Sequence, residues 1–303
     1  VIEAVAIDTK DPNVLYAAGL GGAVYKSMDQ GETWTSGERL VPPSCPFSSL
    51  VIDAENNHSV YAANLCAGIF KSSDGGTTWT QASGDIDGGI QLLAQSPHAP
   101  GLLLAADLDG NVYRSQDGAL TWEPLGAGLP AKPVRGLGAS GPETYWVTTT
   151  NGNDGTLYRF TAGIWSVVPF GQPQGTDATN VLVDPQDPAT LFVGLEQAKD
   201  SDPQPASALL FRSTDGGLTW TPLPNVAPPA DTGSKDVGPK TRVHLLGKGQ
   251  LSGTLYVADS TGLLSSTDQG DTWQRVDLPA HASAISDLQQ MAIDAKDNGS
   301  LYL

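Results

Sequence analysis

Residues 72–79, Ser-Ser-Asp-Gly-Gly-Thr-Thr-Trp, decide the fold of this 303-residue chain. The same pattern stands at 27–34 (SMDQGETW), 115–122 (SQDGALTW), 213–220 (STDGGLTW) and 266–273 (STDQGDTW). A decayed copy, FTAGIW, ends at Trp165. From Trp34 through Trp79, Trp122, Trp165 and Trp220 to Trp273 the intervals are 45, 43, 43, 55 and 53 residues. A period near 43 is the scale of one propeller blade, about four short strands.

The turn chemistry is local. Asp29 and its counterparts Asp74, Asp117, Asp215 and Asp268 can accept hydrogen bonds from turn amides. Gly31 can take a positive φ that a side chain resists. Trp34, Trp79, Trp122, Trp220 and Trp273 are expected to bury their rings beneath the turns. Around the first copy, AVAID and VLYAA read as two strands across a Pro-containing turn, GAVYKS as a third, and TWTSG as the start of a fourth. No stretch shows sustained helical periodicity.

The expectation is an all-β propeller of four-stranded blades in a single domain over 1–303, with six complete repeats and a partial one. The tail MAIDAKDNGSLYL echoes VAIDTKDPNVLYAA near the start. The chain thus reads as an excerpt of a seven-bladed ring, incomplete at its C-terminal end, with a six-bladed ring as the alternative. Composition agrees. Glycine (35) and proline (22) are abundant, charged residues make up 16%, and hydrophobic residues (39%) suffice for a core. Sixteen basic against 33 acidic residues leave a net charge of −17, which repels phosphate backbones and argues against a nucleic-acid partner. Apolar runs are too short for membrane insertion.

The five copies and the decayed one resemble the Asp-box, or bacterial neuraminidase repeat, family of β-propellers. That family includes sialidases, two-propeller xyloglucan hydrolases, sortilin-type receptors and a photosystem II assembly factor, so the shared fold leaves function open. The resemblance implies structural boxed Asp residues on the face opposite the binding site. Loops joining second to third strands, and blade to blade, then form the functional face. Two insertions fall there, residues 196–207 (EQAKDSDPQPAS) and 225–240 (NVAPPADTGSKDVGPK). Their polar residues Glu196, Lys199, Asp200, Asp202, Asp231, Lys235 and Asp236, with Arg242 just beyond, are the candidate binding residues.

A second cluster is acidic. Asp85 and Asp87 precede the first strand of blade three, and Asp107 and Asp109 follow its second strand. An antiparallel hairpin would gather these four carboxylates at one rim. They are the candidate catalytic acids, or oxygen ligands for a hard cation such as calcium, against the plainer reading of solvated turns. Otherwise no cofactor or metal is expected, because His58, His98, His244 and His281 are scattered. Arg114, Arg159 and Arg212 share one repeat position with Lys26 and Lys71, which argues for a structural or solvent-facing role. Nothing places Arg39, Arg135 and Arg242 together, as the arginine triad of sialidases would require. The Arg-Thr-Asp-Val-Gly-Gly-like stretch of the two-propeller hydrolases is missing.

Cys45 precedes the first strand of blade two and Cys66 follows its second. Folding that hairpin about a turn near Asn56 sets the two nearly opposite, so the expectation is a disulfide and an oxidising, extracytoplasmic home. Two unpaired thiols are the alternative. The expected function is a monomeric, secreted or surface-attached module that binds a glycan or protein without catalysis. A glycoside hydrolase is the competing class.

Overall fold

A computed structural model describes residues 2–99, 101–150, 155–197, 209–223, 243, 245–248, 253–259, 262–277, 292–293 and 301–302. Blade one is the four-stranded sheet β1 (Ile2–Ile7), β2 (Leu15–Gly19), β3 (Ala23–Ser27) and β4 (Thr35–Arg39). Blade two follows as β5 (Phe47–Ile52), β6 (Val60–Asn64), β7 (Gly68–Ser72) and β8 (Thr80–Gln81). Blade three is β9 (Ile90–Gln95), β10 (Leu103–Asp107), β11 (Val112–Ser115) and β12 (Glu123–Pro124). Blade four is β13 (Val134–Gly141), β14 (Thr144–Thr149), β15 (Leu157–Thr161) and β16 (Ile164–Val167). Blade five is β17 (Thr176–Val183), β18 (Leu191–Gln197), β19 (Leu210–Ser213) and β20 (Thr221–Pro222). Blade six is β21 (Leu245–Lys248), β22 (Leu255–Asp259), β23 (Gly262–Ser266) and β24 (Gln274–Val276).

Every blade is an antiparallel meander, and no helix occurs among the described residues. The molecule is an all-β, six-bladed propeller. Its first strands form the inner ring, each touching the first strand of the next blade from β1 to β21. A short two-stranded sheet, β25 (Ala292–Ile293) and β26 (Leu301–Tyr302), follows blade six, and β25 touches both β21 and β1.

The second strands are the most deeply buried. All five positions of β2, β6 and β10 are buried, because they lie mid-sheet between two neighbouring blades. The boxed turns join third to fourth strands. In each, the Ser hydroxyl donates to the Asp and accepts the amide four residues on, as Ser72 does from Gly76 at 2.8 Å. The same Asp accepts the amide and hydroxyl of the Thr before the Trp, at 2.9 and 2.7 Å for Asp74 and Thr78. The turn runs through two left-handed residues, Gly75 (φ 68°) and Gly76 (φ 85°). A Cβ on Gly76 would lie 2.7 Å from the Tyr16 ring of the preceding blade, so close packing as well as φ demands glycine there.

The boxed Trp rings pack on the preceding blade. Trp79 joins the cluster of Tyr16, Ala18 and Val24, and Trp122 that of Tyr61, Ala63 and Ile69. Trp79 and Trp122 are 8% and 9% exposed. Trp34 departs from the expected burial and is 40% exposed.

Basic third-strand residues cross the same junctions. Lys26 donates to the carbonyl of Gly75 at 2.7 Å, Lys71 to Gly118 at 2.7 Å and Arg212 to Gln269 at 2.9 Å. Arg159 reaches the Gly216 carbonyl at 3.5 Å. Lys26 and Lys71 also lie over the Tyr16 and Tyr61 rings, 5.4 and 5.5 Å from their centroids. Arg114 faces blade four, whose boxed turn has decayed. It bonds instead to Glu143 (3.0 Å), Tyr145 (3.0 Å) and Glu123 (2.6 Å).

Candidate functional site

Third strands run between two kinds of turn. The boxed turns lie at one end, and the second-to-third-strand turns at the other, where the blade-to-blade connections also fall. On this second face the loops of blades one to four meet in series. Leu40 donates its amide to Gly22 at 2.8 Å, tying the exit of blade one to its own hairpin turn. A Cβ on Gly89 would lie 1.7 Å from the Leu65 carbonyl, and one on Gly110 would lie 2.1 Å from that of Lys132. The rim is therefore built by backbone-to-backbone packing that only glycine permits at those two points.

Cys45 and Cys66 are bonded, with Cα atoms 5.6 Å apart, and close the hairpin of blade two at this rim. Asn64, fully buried at the end of β6, holds the same loop from within. Its amide nitrogen donates to the carbonyls of Cys45 and Pro46, both at 3.0 Å, and its oxygen accepts the amides of Cys66 and Ala67, both at 2.9 Å. Sequence reasoning passed over Asn64, although the repeated endings YAAN and LAAD of two second strands mark the position.

Asp107 is its counterpart in blade three, and the structure gives this member of the acidic cluster a turn-capping role. Asp107 is 6% exposed and spends its carboxylate on the turn. One oxygen accepts the amides of Asp109 and Asn111, both at 2.9 Å; the other accepts the Asn111 side chain at 2.8 Å and the Tyr113 hydroxyl at 3.0 Å. It caps a turn, as Asp does wherever amides converge on it. Asp85, Asp87 and Asp109 stay exposed. Among the described residues no group of three or more His, Cys, Asp or Glu side chains is arranged to hold a metal ion. Asp87 and Asp109 nevertheless act together on Tyr113. Burial, the Asp107 bond and then the fields of Asp107, Asp109 and Asp87 push its phenol up to about 12. The Tyr113 hydroxyl is thus tied to the buried Asp107, while Asp87, Leu108 and Asp109 are exposed.

A second buried carboxylate, Asp177 at the start of β17, was not anticipated. It is 6% exposed and accepts the Thr150 hydroxyl at 3.0 Å and the Gly155 amide at 2.5 Å. Of the insertion residues, Glu196 lies on β18 in register with Asp177. Lys199, Asp200, Asp202, Asp231, Lys235, Asp236 and Arg242 lie outside the described residues. Arg39 and Arg135 are exposed on blades one and four respectively. His98 contacts the Asp184 carbonyl at 2.8 Å near the opposite face, where Asp184 also forms a buried ion pair with Lys248.

The boxed Asp residues have a distinct electrostatic state. Hydrogen bonds from the Thr78 amide and hydroxyl and from Ser72 bring Asp74 down to about 2. Thr219 does the same for Asp215, and Thr272 for Asp268. Burial opposes the shift at Asp117, but bonds from Thr121, Ser115 and Leu120 outweigh it and bring the group to about 2.

A family model described as the DUF6242 beta propeller domain matches residues 15–246, which is most of the chain. This protein belongs to that family. No curated protein matches the DUF6242 chain in sequence. Its fold is similar to the GH74 xyloglucanase from Xanthomonas campestris, with a TM-score of 0.69 at 20% identity over 89% of this chain and 45% of that one. It is also similar to YCF48 bound to D1 peptide, with a TM-score of 0.61 at 18% identity over 90% and 81% of the two chains. The extracellular domain of BT4673 from B. thetaiotaomicron gives 0.67 at 13% identity over 97% and 36%. The DUF6242 chain thus spans less than half of the xyloglucanase. These likenesses establish the propeller architecture. Among the described residues no helix is long and apolar enough to cross a membrane.

Proposed function

We propose that this chain is an extracytoplasmic propeller module of the Asp-box type that binds a glycan or protein ligand on the face opposite its Ser-Asp turns. One observation carries the reading: Asp87 and Asp109 stand exposed on the hairpin side of blade three, where Gly89 packs on Leu65 in the loop clipped by the Cys45–Cys66 disulfide. Exposed carboxylates on a rigid rim suit hydroxyl-rich or cationic ligands, since little ordering entropy is lost on binding. The insertions at 196–207 and 225–240 extend the same face in this reading. The disulfide supports an oxidising compartment, and a net charge of −17 disfavours self-association.

The hydrolase alternative needs a carboxyl free to exchange a proton with substrate. Asp107 is committed to four donors, which leaves this reading weaker on the described rim. The ring is also read as having seven positions, the last begun by β25 and β26, because β25 touches both β21 and β1.

The test is a panel of polysaccharides, aryl glycosides and cationic peptides, scored for binding and for release of reducing ends. D87N/D109N should weaken the best ligand about tenfold with an unchanged melt, equivalent to about 1.4 kcal/mol. Deleting 196–207 or shortening 225–240 should do likewise. Wild-type affinity in all three variants would refute the assignment of this face, and saturable hydrolysis would replace it with the enzyme reading.

A further inference from the structure

The repeat gives an internal standard for the arginine near the end of a third strand. Arg114 pairs with Glu123 at 2.6 Å and Glu143 at 3.0 Å, and Arg212 pairs with Asp271 at 3.1 Å. Arg159 holds the same place on β15, yet among the described residues no carboxylate lies within ion-pair distance of it. The positions that supply an acid elsewhere carry none here. Leu218 stands in the boxed turn of blade five where Asp271 stands in that of blade six. Ser166 lies opposite Arg159 as Glu123 lies opposite Arg114. Ala189 falls three residues before Phe192, the partner of Arg212, as Glu143 falls three before Trp146, the partner of Arg159.

The clasp between blades is also loose at this junction. Tyr16 and Tyr61 donate their hydroxyls to the Gly75 and Gly118 carbonyls. Trp146 takes that position on β14 and turns its indole N–H to the Ser140 hydroxyl instead, at 2.7 Å. Arg159 lies over the Trp146 ring, 5.6 Å from its centroid, and meets the Gly216 carbonyl at 3.5 Å. Its Nε, like that of Arg114, is buried without a hydrogen-bond partner. Beside it lies a cavity of about 330 Å³ between blades four and five, walled by Ser140, Trp146, Arg159, Pro188, Ala189 and Leu218 among others.

We propose that this cavity binds a small organic monocarboxylate, whose carboxylate pairs with Arg159 and whose apolar body lies against Leu218 and Pro188. The guanidinium is a planar set of donors that matches a carboxylate. The ligand then supplies the charge that Glu143 and Asp271 supply to Arg114 and Arg212. Leu218 is 75% exposed, and covering it adds a hydrophobic contribution. Asp215 also lines the cavity, but its oxygens are taken by Ser213, Leu218 and Thr219. Those bonds keep it ionised, so a dianion such as phosphate is repelled, while an amine meets the Arg159 charge. The volume is at the low end for small-molecule sites, which suits a one-ring acid better than an oligosaccharide or a peptide. The site lies on the boxed face, opposite the rim assigned above, and neither reading depends on the other.

The probe is phenylacetate, titrated against the full chain by saturation-transfer NMR, and it should bind saturably. Phenylacetamide keeps the shape without the charge and should bind about tenfold more weakly, the scale of a lost hydrogen bond to a charged group. Leu218→Asp gives Arg159 the acid that Asp271 gives Arg212, so it should abolish phenylacetate binding with the thermal melt at or above wild type. Arg159→Met keeps the stem over Trp146 and should abolish binding as well. No saturation below about 10 mM would overturn the proposal. So would phenylacetamide or phenethylamine binding as well as phenylacetate, or wild-type affinity in both variants. Inorganic phosphate competing at the same concentration would overturn the assignment to a monocarboxylate. D87N/D109N should leave the phenylacetate titration unchanged; a loss there would overturn the placement of the probe at Arg159.

Discussion

The ammonium of Lys26 and the carbonyl of Gly75 meet at 2.7 Å across the junction of blades one and two, under the hydroxyl of Tyr16, which donates to the same oxygen at 2.9 Å. One turn thus receives two donors from its neighbour, and the blades are clasped edge to edge as well as packed.

Breaking a clasp should loosen the ring without unravelling a blade. Lys71→Met keeps the aliphatic stem but removes the donor to Gly118, and should cost about 1.5–3 kcal/mol, the range for a hydrogen bond involving a charged group. Chemical denaturation would measure it. An unchanged midpoint would show that the inter-blade bond adds nothing.

Two Trp substitutions should differ in cost. Trp79→Ala empties a site in the first inter-blade core and should cost about 3–5 kcal/mol. Trp34→Ala, at the exposed counterpart, should cost clearly less in the same denaturation series. Equal losses would mean that Trp34 is buried in solution.

Removing the disulfide acts chiefly on the unfolded chain. With its cysteines 21 positions apart in sequence, Cys45→Ser/Cys66→Ser should lose about 3 kcal/mol by loop-closure entropy. Asn64 still bonds all four neighbouring backbone groups, so the rim should keep its shape and its ligand. Peptide mapping that found both thiols free in oxidised material would remove the premise.

Acid should attack the boxed turns. Asp74, Asp215 and Asp268 titrate near 2 when folded, below the ordinary carboxylate range. A depressed folded value means the unfolded chain binds the proton first. The stabilisation is therefore complete above about pH 4 and fades as pH falls from there towards 2. Thermal melts across that window should show falling stability, with a shallower slope in Thr78→Val, which removes one donor to Asp74. Identical slopes would show that the Thr hydroxyl does not set this titration.

What the sequence determined by itself was the blade. Asp74, Gly76, Thr78 and Trp79 lie within eight residues, and their bonds close inside that span, so spacing alone specifies the turn. The period then follows from repetition, and the Cys45–Cys66 bond from folding one hairpin. Tertiary structure decided whatever depends on strand pairing or on the neighbouring blade. Trp34 and Trp79 occupy the same box position, yet one is exposed because burial is supplied by a different sheet. Asp107 reads as a free acid among Asp85, Asp87 and Asp109, but its oxygens are taken by four donors that converge only when β10 and β11 pair. Arg114 turns to Glu143 and Tyr145 because blade four lacks the boxed turn that receives Lys26, Lys71 and Arg212 elsewhere. Hydrogen bonds within a turn are written in residue spacing; burial and charge pairing depend on paired strands and neighbouring blades, which only the folded ring brings together.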